Sequence, residues 1–297
     1  MTERILDLSE QPARLRVHNG LLVIRRQDDQ QETTIPLAEL AVVIASHPQL
    51  SFTHAVLAGL AEAGASFIAC NTKHLPAAML LPLETHSLQT ERFARQAQLP
   101  RPRRKRLWQQ IVRAKIRAQA RTLVARTGTD HGLELLAGRV GSGDPRNCEA
   151  QAARIYWPLV FPRKDFRRDT DAAGANRCLN YGYAVLRALT ARAICAAGLH
   201  PSFGIHHHNR YHPFCLADDL MEPLRPLVDR AVAALWDTLG AEPELDRDTK
   251  RALLEPLLAR YGIEGESRTL FDWISRLAFS LAAVVEERGE KLAIPEL

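Results

Sequence analysis

The chain has 297 residues, 46% of them hydrophobic and 25% charged, which excludes a mostly disordered or collagen-like polymer and leaves room for about two domains of ~150 residues. Its five cysteines, at 70, 148, 178, 195 and 215, form no CxxC pair, so neither a disulfide framework nor a zinc ribbon is expected and a reducing compartment fits. The net charge of +5 conceals a strong asymmetry: residues 92–129 hold twelve basic side chains and no acid, while the remainder carries 27 basic against 34 acidic. A local stripe dominated by arginine suits phosphate, because a guanidinium grips two oxygens in one plane. The plain alternative is a solvated helix face.

In chain order, residues 14–18 and 21–26 flank Asn19-Gly20, the strongest short hairpin signal. Further strands are expected at 33–37, 40–45, 66–70 and 77–81, with a short helix at 54–63 ended by Gly64. Residues 1–81 therefore predict a small β-sandwich-like domain. Prolines 82, 100 and 102 mark a linker at 82–106, and residues 107–297 predict an α-helical domain. The fold class is α+β.

Trp108, Ile111, Val112, Ile116, Leu123 and Val124 recur at helical spacing, with arginines filling much of the rest of that helix. Asp144-Pro145 predicts a helix start, with the helix running through Glu149 to Trp157 before Pro158. Helices follow at 176–198, 218–239, 248–261 and 270–287. No apolar run approaches the ~20 residues of a membrane span. The opening residues MTERILDLSE lack the basic region and apolar run of a signal peptide.

Five of the eleven histidines lie between 200 and 212, followed by Asp218, Asp219 and Glu222. On a helix, Glu222 shares a face with Asp218 or Asp219. Crowded carboxylates beside an imidazole suit Mg²⁺ or Mn²⁺. The alternative is that the acids cap a helix N-terminus, where the dipole favours negative charge. Glu149, one turn into its helix among Ala150, Ala152 and Ala153, is by itself more often a capping glutamate. HExxH and zinc-finger spacings are absent.

Five segments in order carry a resemblance: EAQAARIYW at 149–157, FRRD at 166–169, NRCLNYGYAVL at 176–186, GLHPSFGIHHHN at 198–209 and PFCLADDLMEPLRPLVD at 213–229. Together they resemble the CRISPR-associated endonuclease/integrase of the spacer-acquisition module, most closely its type II branch. LWQQIVRAKI at 107–116 and the β-rich start extend the likeness along the chain. The resemblance implies an N-terminal β-sandwich, a helical catalytic domain and a Mg²⁺ or Mn²⁺ site. Its E-x-x-A-A-R-x-Y pattern falls on Glu149, its G-[IL]-x-H on His207 and its D-[LI]-M-E-P on Glu222, with Asp219 as second acid. His206 is the neighbouring alternative to His207. His208, His212 and Arg177 depart from the family pattern.

The implied chemistry is attack of a DNA 3′-hydroxyl on a phosphodiester bond at a CRISPR repeat. DNA contacts are expected from Arg101, Arg103, Arg104, Lys105, Arg106, Arg113 and Arg117, and from Arg163, Lys164, Arg167 and Arg168. The implied partners are double-stranded and branched DNA, a second copy of the chain, and a small ferredoxin-like companion protein in a heterohexamer. The type II effector nuclease and an accessory adaptation protein would join them, in a prokaryotic cytoplasm. Two other readings use the same residues: a stand-alone metal-dependent nuclease for branched DNA, and a non-enzymatic DNA-binding subunit. A metal-dependent metabolic enzyme is a more distant reading, because it leaves the arginine stripe unexplained.

Overall fold

The computed structural model describes residues 4–26, 31–72, 76–81, 86–162, 166–169 and 172–297. It is a mixed α and β structure. Strands β2 (Ala13–His18) and β3 (Leu21–Arg26) form the expected hairpin. Asn19 and Gly20 both take positive φ, 49° and 73°, which matches the turn to the twist of the strands. With β4 (Thr33–Pro36) and β6 (Leu50–Phe52) they make a sheet of order β4-β3-β2-β6.

A second sheet has the order β1-β5-β7-β8, from β1 (Arg4–Leu8), β5 (Leu40–Ala45), β7 (Ser66–Cys70) and β8 (Pro76–Leu80). Strand β5 lies between two parallel neighbours and is buried on both faces, which explains its unbroken apolar run LAVVIA. Leu40, Val43 and Phe67 face a core shared with Leu15, Leu22 and Ile24 of the hairpin and with helix α1 (His54–Glu62). Val42, Ile44 and Ile68 belong instead to the large helical core. One sheet thus walls both cores. Strands β1 and β6 were not among the expected elements.

Of the expected linker at 82–106, residues 82–85 lie outside the described residues. Much of the rest is helical: α2 (Gln89–Ala97), then α3 (Arg101–Thr127), with Pro102 in its first turn, where the missing N–H costs nothing. Gly128 closes α3 in the left-handed conformation, φ 82°. The apolar face of α3 is buried as expected, except that Val124 is exposed. Helix α4 (Leu133–Gly138) follows.

Helix α5 (Cys148–Val160) starts three residues beyond Pro145 and continues through Pro158. A proline deletes one hydrogen bond to the preceding turn but leaves the residues after it free to stay helical. Helix α6 (Ala175–Ala196) runs through the helical core, and its Gly182 meets α8 (Arg225–Leu239) closely: a Cβ there would sit 2.4 Å from Val228 Cγ1. The helix expected at 218–239 is broken: α7 (Cys215–Met221) passes through a 3-10 turn at Glu222–Leu224, beside Pro223, into α8. The stretch 248–261 is α9 (Arg247–Leu258), followed by an unexpected hairpin, β9 (Arg260–Ile263) with β10 (Glu266–Thr269). Helix α10 (Leu270–Val285) starts at a Thr269 cap that accepts the Asp272 amide.

Candidate metal centre

Glu149 stands in the first turn of α5. The Asp144 carboxylate accepts the amides of Cys148 and Glu149 at 2.9 and 3.0 Å, so Asp144 caps this helix from four residues upstream. Glu222 opens the 3-10 turn between α7 and α8 and is 4% exposed. Between them comes Lys115, from the buried side of α3. Its Nζ lies 2.6 Å from Glu149 Oε1 and 2.6 Å from Glu222 Oε2.

Burial works against both charges. The charges of Arg225 and Lys115 nevertheless hold the Glu222 carboxyl below its ordinary range. Glu222 and Glu149 likewise hold the Lys115 ammonium above its own. Arg225 Nε is 3.1 Å from Glu222 Oε1, and its guanidinium lies over the Tyr183 ring. Tyr183 and Tyr156 both donate their hydroxyls to Asp229, whose carboxyl burial pushes up to about 6.

The histidine loop is anchored by Asp219, which is fully buried. Its Oδ2 accepts the amides of Ile205 and His206 at 2.6 and 2.9 Å, and its Oδ1 accepts the His207 amide at 3.2 Å. His207 Nδ1 is 2.6 Å from Asp219 Oδ1. A proton on Nδ1 satisfies that contact and leaves the Nε2 lone pair available. This is the arrangement by which a carboxylate orients a metal-binding imidazole. The hydrogen bond that His207 donates to Asp219 raises its pKa, against burial, and the charges of Asp219, Glu222 and Glu149 add to it. His206 differs: it stacks flat on Trp108 at 4.2 Å, and burial lowers its pKa.

Gly204 permits this turn. A Cβ there would lie 2.2 Å from the His207 carbonyl oxygen and 3.1 Å from Asp219 Oδ2. His212 and Arg187 both bind Asp218, which therefore sits in its own ion cluster.

The structure thus gathers Glu149, Glu222, His207 and Asp219 into one region, with Asp219 engaged by the loop and by His207. Among the described residues, no three His, Cys, Asp or Glu side chains are close enough to hold an ion as they stand. The ammonium of Lys115 occupies the place between the glutamates. Sequence reasoning counted Lys115 only as part of the basic stripe.

The candidate DNA contacts divide. Arg101, Lys105, Arg106, Arg117 and Arg167 are exposed. Arg103 is tied to Glu287 and the Val284 carbonyl, and Arg104 contacts His208. Arg113 donates to the Val140 carbonyl, and Arg168 to Asn176 and Asn180, so both brace the protein itself. Arg163 and Lys164 lie outside the described residues.

Residues 6–254 match the family of CRISPR associated protein Cas1. The CRISPR-associated endonuclease Cas1 of Neisseria meningitidis serogroup C (strain 8013) is 36% identical over 275 residues, 91% of this chain and 90% of that protein. A casposase bound to its integration product has the same fold, with a TM-score of 0.80 at 22% identity, over 100% of this chain and 94% of its own. So does a chain of a Cas6-RT-Cas1–Cas2 complex, with a TM-score of 0.74 at 20% identity, over 98% of this chain and 36% of that one. With five-sixths of its length matched, the chain belongs to the Cas1 family of CRISPR-associated proteins.

Proposed function

We propose that this protein is a divalent-metal-dependent DNA integrase and endonuclease that inserts spacers into a CRISPR array. The observation that carries the reading is the pair Glu149 and Glu222 converging on a single cation beside a carboxylate-held His207, in a chain of the Cas1 family. The residues fit Mg²⁺ or Mn²⁺. Glu222 Oε2 is buried and faces the Lys115 ammonium at 2.6 Å, so the glutamate pair already holds one cation. Two carboxylates with one imidazole make a mixed oxygen and nitrogen donor set that manganese tolerates better than magnesium.

Glu149, His207 and Glu222 would hold the ion, which supplies polarisation of the scissile phosphoryl oxygen. Asp219 acts behind the site by fixing the imidazole and its tautomer. Arg225 offsets the buried charge of Glu222. The exposed Arg101, Lys105, Arg106, Arg117 and Arg167 hold the DNA backbone, which sets position without reading sequence. In the reaction, a 3′-hydroxyl of the incoming DNA attacks a backbone phosphate at the repeat. A new phosphodiester forms, and the displaced strand leaves with its own 3′-hydroxyl. Water in place of the hydroxyl gives strand cleavage.

The family relationship and the integration product in the casposase neighbour support DNA as substrate. The Cas6-RT-Cas1–Cas2 complex among the structural neighbours supports a Cas partner for this chain. In this reading that partner is a small ferredoxin-like companion in a heterohexamer, and the β-rich region 1–81 is the dimer and companion contact. In this reading the chain belongs to the type II branch, with its effector nuclease and accessory adaptation protein as further partners.

The test is strand transfer on a branched DNA that mimics the integration intermediate, in Mn²⁺, Mg²⁺ or chelator, with wild type and His207→Ala. Metal-dependent joining by wild type alone is expected. Cleavage without joining would indicate a stand-alone nuclease. Full activity of His207→Ala would remove the site.

A further inference from the structure

The place between Glu149 and Glu222 is already taken by a side chain of the protein. Lys115 Nζ lies 2.6 Å from one oxygen of each glutamate, and its side chain is only 15% exposed. Arg225 contacts the other oxygen of Glu222. Two cations therefore face two anions, and the cluster is locally neutral.

A divalent ion bound to the same oxygens would sit ~2.0–2.2 Å from them. Ion and ammonium cannot both do so, because two positive charges would then be nearly in contact in a poorly solvated site. Any metal held here has to displace the ammonium. Lysine suits such a move, being a compact charge on a flexible four-carbon stem. Once displaced, the ammonium needs an anion, and a DNA phosphate is the anion that arrives with the substrate.

We propose that Lys115 is a resident counter-cation that competes with the divalent ion for Glu149 and Glu222, so that metal loading is coupled to the DNA phosphate that takes over the ammonium. The inference rests on the proposed metal site and adds its regulation. Lys115 is a positioning residue in this scheme. Without DNA it keeps the carboxylates together and weakens metal binding. With DNA it hands them over.

The experiment is a Mn²⁺ titration followed by electron paramagnetic resonance. It uses wild type, Lys115→Met, Lys115→Arg and Glu149→Gln, with and without a branched DNA whose 3′ ends are dideoxy. Wild type is expected to bind Mn²⁺ weakly alone and at least tenfold more tightly with DNA. Lys115→Met should bind tightly without DNA and gain little from it, whereas Lys115→Arg should behave as wild type. Equal Mn²⁺ affinity of Lys115→Met and wild type without DNA would overturn the inference while leaving the metal site standing. A DNA effect as large in Lys115→Met as in wild type would overturn the coupling. No Mn²⁺ dependence on Glu149 in any protein, with or without DNA, would overturn the metal site and the inference together.

A second measurement needs no substitution. Reductive methylation of wild-type Lys115, read by mass spectrometry, should be slow in the metal-free protein and faster at a Mn²⁺ concentration high enough to saturate the weak site. Protection that persists with Mn²⁺ bound would show that ion and ammonium do not compete.

Discussion

The indole of Trp108 stacks on the His206 ring, the two planes 5° from parallel, and meets the His207 ring edge-on at 5.6 Å. One buried side chain thus separates two adjacent histidines into different environments. His206 packs against helix α3, and His207 is held to Asp219. His207→Ala is therefore expected to abolish strand joining, while His206→Ala and His208→Ala retain it. A product gel for the three variants decides the register, and loss in His206→Ala alone would reverse it. Trp108→Ala should disturb the whole loop and cost ~3–5 kcal/mol of stability.

Asp219→Asn removes the charge that raises the His207 pKa and weakens the anchor of three backbone amides. Metal affinity should fall by ~10–100-fold, the usual effect of removing a carboxylate behind a metal-binding histidine. In wild type, proton and metal compete for His207, so affinity should rise with pH through its elevated pKa. Calorimetric Mn²⁺ titrations across pH check both. An Asp219→Asn affinity equal to wild type would show that His207 is not a ligand.

Burial raises the Asp229 carboxyl from 3.8 to about 6, opposed by the Tyr183 and Tyr156 hydroxyls and by Arg225 and Lys115. The folded protein therefore holds this proton more tightly than the unfolded chain does. The stability this provides is complete below about pH 4 and is lost as the pH rises through 6, a change on the order of 3 kcal/mol. Asp229→Asn should remove that slope. Its Tm relative to wild type should climb between pH 4 and 7, and a constant difference in thermal melts would contradict the assignment.

Alanine at Arg101, Lys105 and Arg106 should weaken DNA binding and lower the slope of log K against log salt by ~0.9 for each phosphate that the protein no longer neutralises. Arg168→Ala should leave the slope unchanged and lower Tm, because its guanidinium is bound to Asn176 and Asn180. Fluorescence anisotropy over a salt series, paired with thermal melts, separates the two groups.

What was legible in the sequence followed from local chemistry. Asn19-Gly20 announced its hairpin because both residues tolerate positive φ. The strand β1 was invisible for the opposite reason: RILDL is held by a parallel partner far along the chain, at Leu40–Ala45, and no neighbouring turn marks it. Leu253, Leu254 and Leu257 kept a helical period that masked the turn into β9. The site was legible as residue types in family order, and that order selected Glu149, which its own helix would not. Lys115 was hidden because its charge matched the arginines around it. Its spacing told otherwise, four residues after Ile111 and three after Val112, on the side of α3 that is buried.

The double burial of β5 binds the fates of the two cores together. Cutting the chain after residue 81 would strip Val42, Ile44 and Ile68 from the helices and leave an open apolar face in their place. Heating the intact chain should release both cores in one cooperative step. Calorimetric and van't Hoff enthalpies should then agree, although a chain of this length commonly melts in stages.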